Sequence, residues 1–192
     1  MDIINYMEYV DVYNSDGKSL GFKKTGKEAH QKGLWHKTVH IWIVNSKKEL
    51  LIQKRSPLMD NHPNEWDISV AGHISTGENE ITAALRETSE EIGLEIIPEK
   101  FKLIKTIKKE SVRSGYINNE IISIYIIKME IDLKKIKRQE EEISELKLIP
   151  YKKLKQIIEN KDPLFVPHPE EYKILFKFLE NDFGDLDSVV KK

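Results

Sequence analysis

The sequence predicts an α/β fold, a mixed β-sheet sandwiched between helices. Three observations carry this reading. Runs rich in β-branched and aromatic residues, at 38–44, 49–54 and 116–128, are interspersed with stretches of helical periodicity. The clearest helical stretch, residues 78–92, puts Ile81, Ala84, Leu85, Thr88 and Ile92 on one stripe. No Pro/Gly/Ser-rich linker or repeat divides the 192 residues, a length that buries a core without metal or disulfide staples. The chain 1–192 therefore reads as one domain, with residues 1–30 as an N-terminal hairpin extension and 184–192 as a frayed tail.

In chain order, residues 8–13 alternate, Asn14-Ser15-Asp16-Gly17 turns and 19–22 resume, which reads as a hairpin. Residues 38–44 and 49–54 are strands around Asn45-Ser46-Lys47-Lys48, and Pro57 and Pro63 mark 56–64 as a loop. Residues 66–70 form a short buried strand leading into Ala71-Gly72-His73. The helix 78–92 stops at Gly93. Residues 101–109 and 116–128 are long β-rich segments around a turn at Arg113-Ser114-Gly115, and 146–149 is a short strand. Pro150 stands where a helix starts, and 151–159 and 170–181 are helices.

Lys and Arg number 31 against 32 Asp and Glu, a net charge of -1, which argues against a dedicated nucleic-acid binder. The absence of Cys excludes disulfides, thiol nucleophiles and thiolate metal sites. The longest apolar stretch, 121–127, is too short to span a bilayer, and the first residues lack the basic flank and apolar core of a signal peptide. A cytoplasmic protein with neither a membrane nor a nucleic-acid partner is expected.

Helix 78–92 carries more charge than packing requires. Glu87, Glu90 and Glu91 stand at i, i+3 and i+4, so their carboxylates share a face rotated away from the apolar stripe. Clustered carboxylates repel unless a cation sits between them, and oxygen-only ligands suit Mg²⁺ or Mn²⁺. Arg86 adjoins the cluster and can hold one carboxylate by a bidentate pair. A bare Glu-x-x-Glu-Glu would more often be a solvated helix face.

The rest of the string changes those odds. Gly72, five residues, Glu78, seven residues, Arg86-Glu87, two residues, Glu90-Glu91, one residue and Gly93-Leu94 resembles the Nudix box at every fixed position. Seven fixed residues match by chance on the order of 10⁻⁸ per window. The one departure is Thr88, where the family usually has an aliphatic residue; it lies on the packing stripe and leaves the acid face intact.

The chain is thus identified as similar to the Nudix hydrolase superfamily. His30, Leu34-Trp35-His36, Leu50 through Ser56 and Trp66 through His73 resemble the branch related to type I isopentenyl-diphosphate isomerase. The resemblance implies a Nudix-type α/β/α sandwich. It also implies a diphosphate (pyrophosphate) hydrolase acting on a small-molecule substrate, a nucleoside diphosphate derivative or related compound, by attack of metal-activated water. Glu87, Glu90 and Glu91 would hold Mg²⁺ or Mn²⁺ with the Gly72 carbonyl, while Glu78 and Arg86 would tie the loop to the helix. A homodimer is common for the fold.

Those isomerases carry a catalytic Cys directly before the Gly-His, where this chain has Ala71. They also carry a Glu-Asn-Glu, where this chain has Asn118-Asn119-Glu120. They have a degraded box, whereas this one is complete. The residues serve hydrolysis rather than isomerisation. A non-catalytic Nudix binding module is the third reading, disfavoured because such modules typically lose box glutamates.

A further acid from outside the box is expected as ligand or base. Glu120 and Glu142 both qualify, with Glu120 favoured because Glu140–Glu142 reads as a solvated charge run. By alternation Glu120 shares a face with Ile122, Ile124 and Ile126. His30, His36 and His73 match the second-metal positions of the isomerases, and either ligate or line the pocket and hydrogen-bond phosphate. Lys54 and Arg55 are candidate phosphate contacts, with plain surface as the alternative. Trp35, Trp42 and Trp66 read as core, and His62 and His168, beside prolines, carry no signal. The loops 56–64 and 161–169 shape the substrate side.

Overall fold

In the computed structural model, residues 8–113, 115–181, 183 and 184 are described. The chain opens with a hairpin of β1 (Tyr9–Tyr13) and β2 (Ser19–Thr25), followed by a short helix α1 (Gly26–Lys32). The sequence reading lacked α1, although Thr25 and Glu28 form a reciprocal capping box and Gly33 closes the helix. Its seven residues hold one aliphatic side chain, Ala29, too few for a periodic stripe.

A seven-stranded mixed sheet follows, built from β3 (His36–Val44), β4 (Glu49–Arg55), β5 (Trp66–Asp67), β6 (Val70–His73), β7 (Lys102–Arg113), β8 (Tyr116–Lys128) and β9 (Ile143–Pro150). The central strand β3 runs parallel to β8, with His36 opposite Glu120 and Trp42 opposite Ile126. β7 and β8 form a long hairpin, so the strand expected at 101–109 extends to Arg113.

The decisive irregularity is that β3 and β4 pair only at Val44 and Leu50 and then part. Each takes a different partner in the gap: β6 pairs with β3, and β5 with β4. The single strand expected at 66–70 is therefore two. Ser69 sits at the fork, where its hydroxyl accepts from Ile43 N (2.9 Å) and donates to the Leu51 carbonyl (2.5 Å), tying the diverging strands together.

Helices cover both faces. Helix α2 (Glu80–Ile92) packs Ala83, Ala84 and Ile92 against Val39, Ile41, Ile43, Tyr125 and Ile127. Helices α3 (Tyr151–Glu159) and α4 (Pro169–Asn181) cover the opposite face, where Leu154, Leu175 and Leu179 meet Trp42, Ile122, Ile124 and Ile126. The alternation read from β8 holds, with even-numbered isoleucines on one core and Tyr125 and Ile127 on the other. Helix α2 starts two residues later than expected because Asn79 is its N-cap, accepting from Thr82 N. Thr88 is fully buried on the stripe, and its hydroxyl donates to the Ala84 carbonyl. No helix among the described residues is long and apolar enough to cross a membrane.

Candidate active site

The fork between β3 and β4 opens into a cavity of about 660 Å³ that reaches from helix α2 on one face of the sheet to the start of α4 on the other. Glu87, Glu91, Glu120, Glu142, Gly72, His30, His73 and Arg55 all line it. Leu58–His62, Val166 and His168 form the wall supplied by the two loops.

Glu87 and Glu91 lie one turn apart on the inner side of α2, only 8% and 2% exposed. A Cβ at Gly72 would fall 1.9 Å from Glu87 Cδ, so only glycine leaves room for this carboxyl. Glu91 accepts from Gln53 Nε2 at 3.0 Å and from the Ala71 backbone N–H at 3.3 Å. Burial pushes Glu87 up to about 8, with Glu8 and Glu90 adding to the rise against Arg86. Burial, Glu87 and Glu142 push Glu91 well above the carboxylate range.

Glu90 behaves differently. Its side chain is 54% exposed and accepts from Arg86 Nη1 at 3.0 Å. At about 100° per residue, Glu90 is turned some 60° from Glu87 to the outer side while Glu91 turns about 40° inward. The expected face of three converging acids is therefore two inner acids and one at the rim. Arg86 gathers the outer groups: Nε and Nη2 donate to the two Glu78 oxygens at 3.0 and 2.9 Å, Nη1 to Glu87 at 2.8 Å, and Nη2 to the His73 carbonyl at 3.0 Å. Glu78 also accepts from Ser75 N, closing the loop onto the helix.

Both acids outside the box reach the cavity. Glu120, 8% exposed, lies 4.0 Å from His36 Nε2. Burial acts to raise its carboxyl, but His36, Lys109, His40 and His30 outweigh burial and hold it below its ordinary value. Glu142 is not the purely solvated charge expected of its run: it is half-buried, accepts from Gln139 Nε2 at 3.0 Å, and burial raises its carboxyl. Backbone bonds from Gln139 N to Glu91 O and from Ser56 N to Glu142 O fold that segment back over the fork.

His30, His36 and His73 each offer a ring nitrogen within 4.8 Å of the others. His36 donates from Nδ1 to the Leu34 carbonyl, leaving a buried Nε2 without a partner. Burial, with His36 and His73, pushes His30 down to about 4. Arg55 lines the cavity, donating to Asp67 and the Asn61 carbonyl. Lys54, its neighbour on β4, does not line it; strand alternation turns it away.

Several lining residues escaped the sequence reading. Glu8, just before β1, reaches His73 Nδ1 at 3.0 Å and Ser75 Oγ at 3.0 Å. At the other end His168, expected to carry no signal, is buried between Asp67 and Lys109. Burial acts to raise Asp67, but His168 and Arg55 hold it well below the carboxylate range. His40 pairs with Glu171, which also accepts from Trp42 Nε1.

The NUDIX domain model matches residues 34–169. The chain belongs to the Nudix family. It is 36% identical over 179 residues to Nudix hydrolase 3 of Arabidopsis thaliana, covering 90% of this chain but 23% of that protein. It is 36% identical over 157 residues to an uncharacterized Nudix hydrolase of Clostridium acetobutylicum, covering 80% of this chain and 75% of that one. An isopentenyl-diphosphate Delta-isomerase of Cereibacter sphaeroides is 28% identical over 171 residues, covering 89% of this chain and 93% of that one. Among solved structures, the DR0079 protein of Deinococcus radiodurans superposes with a TM-score of 0.65 at 20% identity, covering 80% of this Nudix chain and 90% of that one. That likeness is one of fold. Nudix hydrolases generally use divalent metal ions.

Proposed function

We propose that this Nudix protein is a divalent-metal-dependent hydrolase that cleaves a diphosphate linkage in a nucleoside diphosphate derivative or a related small molecule. The observation that carries the reading is the buried pair Glu87 and Glu91 against Gly72, open to the cavity. Two desolvated carboxylates side by side are costly without a cation, and an all-oxygen donor set fits Mg²⁺ or Mn²⁺.

When bound, such an ion neutralises phosphate oxygens and makes water a nucleophile near neutral pH. The chain's own groups do the rest. Glu87 and Glu91 would hold the ion, with the Gly72 carbonyl as a further oxygen donor. Gln53 and the Ala71 N–H fix the Glu91 oxygens, and Arg86 fixes the outer oxygen of Glu87. Glu120 accepts the proton of the attacking water, the role its ionised state suits. Arg55 and His73 face the phosphates.

Isomerisation is disfavoured because Ala71 offers no thiol and Asn118 no acid. A hydrolysis screen across diphosphate compounds with Mg²⁺ and Mn²⁺, isopentenyl diphosphate included, tests the reading. Metal-dependent release of a phosphate product is expected. Allylic isomer without hydrolysis would return the chain to the isomerase reading, and no turnover of any compound would leave a binding module.

A further inference from the structure

We propose that His40, His168 and Glu171 form a second cation site, for a transition-metal dication such as Co²⁺ or Zn²⁺, at the end of the cavity remote from α2. One ring nitrogen of each histidine and one carboxylate oxygen lie within 4.8 Å of one another, and all three residues are buried. Glu171 Oε2 is 2.7 Å from His40 Nδ1 and 3.7 Å from His168 Nδ1. They come from β3, from the loop before α4 and from the first turn of α4, so the tertiary fold alone brings them together.

The surroundings separate this group from a plain buried ion pair. His168 donates from Nε2 to Asp67 Oδ1 at 2.8 Å, which leaves Nδ1 as the ring atom that carries the lone pair, 3.7 Å from Glu171 Oε2. The Trp42 indole N–H donates to Glu171 Oε1 at 2.9 Å, so Oε2 is the oxygen presented to the histidines. A metal-bound histidine almost always passes its other N–H to a carboxylate or carbonyl, which fixes ring and tautomer. Two imidazole nitrogens and one carboxylate suit zinc-like and later first-row dications better than Mg²⁺. Both histidines line the cavity, so further coordination positions open toward whatever fills it.

A cation already stands at the group. Lys109 Nζ lies 3.1 Å from His168 Nδ1 and donates to the same lone pair an ion would use. Lys109 is therefore the ion's competitor, and it must swing aside along the edge strand β7 when the ion enters. The His40 Nδ1 proton, now shared with Glu171, leaves to solvent in the same step.

The site does not depend on the hydrolase reading, and its test reads binding. The metal-stripped 192-residue chain carrying His73→Asn, which breaks the other histidine cluster, is titrated with Co²⁺ in excess Mg²⁺, added to fill the proposed all-oxygen site. One Co²⁺ per chain is expected, with visible d–d absorption showing nitrogen ligation. Adding His168→Gln should weaken binding at least about tenfold in a protein that still folds, and Lys109→Met should tighten it severalfold. No bound Co²⁺, equal affinity with and without His168→Gln, or unchanged affinity in Lys109→Met overturns the proposal. Should His168→Gln not fold, Lys109→Met carries the test alone.

Discussion

Gly72 lies so close against Glu87 that a methyl group on its Cα would overlap the carboxyl carbon at 1.9 Å. The atoms in the way belong to a side chain rather than to backbone, so the helix does not have to move. Gly72→Ala should therefore leave the unfolding temperature of the metal-free protein nearly unchanged while expelling Glu87 from its place. Mn²⁺ affinity, read by calorimetry, should drop at least about tenfold. Full affinity in a folded Gly72→Ala variant would separate Gly72 from the ion site.

Position on α2 ranks the acids. Glu91 is buried and held by Gln53 and Ala71 N, whereas Glu90 is at the rim with Arg86. Glu91→Gln should cut turnover by about 100-fold or more, the scale of losing an electrostatic group aimed at developing charge. Glu90→Gln should also cut it, but less. Steady-state kinetics on the best substrate decides, and wild-type rates in both variants would remove the assignment.

The two acids outside the box differ in what surrounds them. Glu120 is ringed by His36, Lys109, His40 and His30, while Glu142 is disfavoured as an anion by burial and neighbouring acids. Glu120→Gln should lower kcat more than Glu142→Gln at saturating Mg²⁺. It should also lower the unfolding temperature, because basic groups lose their counter-charge, whereas Glu142→Gln should raise that of the metal-free protein. The reverse ranking of kcat would move the proton-accepting role to Glu142.

Stability should depend on pH in a defined direction. Glu87 and Glu91 have folded-state pKa values above the ordinary 4.5, with Glu87 at about 8, so the folded chain holds more protons than the unfolded one in this range. His40 and His73, raised above 6.5, act the same way. Between pH 6.5 and 8 the metal-free protein should therefore lose stability as pH rises. Saturating Mg²⁺ should flatten that slope by giving the carboxylates a counter-ion. Thermal unfolding across this range in EDTA and in Mg²⁺ checks it; identical slopes would show that the ion binds elsewhere.

The legible parts of the molecule were those that local spacing encodes. Glu87 and Glu91 come from helical periodicity, and the two faces of β8, with Glu120 among its even-numbered isoleucines, come from strand alternation. The split of residues 66–73 into two strands was hidden because Ser69, one hydroxyl at the fork, replaces ladder bonds that a continuous strand would make. Glu8, Asp67, His168 and Glu171 were hidden for another reason. Each meets its partner only through tertiary packing, as when Glu171 meets His40 across 131 residues of chain. Glu90 shows the limit of spacing itself, since three acids within one turn still point in different directions.

The family match begins at residue 34, yet two walls of the cavity are laid down before it. Glu8 braces His73 and Ser75, and His30 on α1 stacks against Tyr116 at 4.6 Å between ring centroids. A gene trimmed to begin at residue 34 would still encode the sheet and its helices α2, α3 and α4, but its product would open to solvent on that flank. The preceding hairpin and helix are thus part of the enclosure, and a substitution there can change what the cavity admits without touching a single box residue.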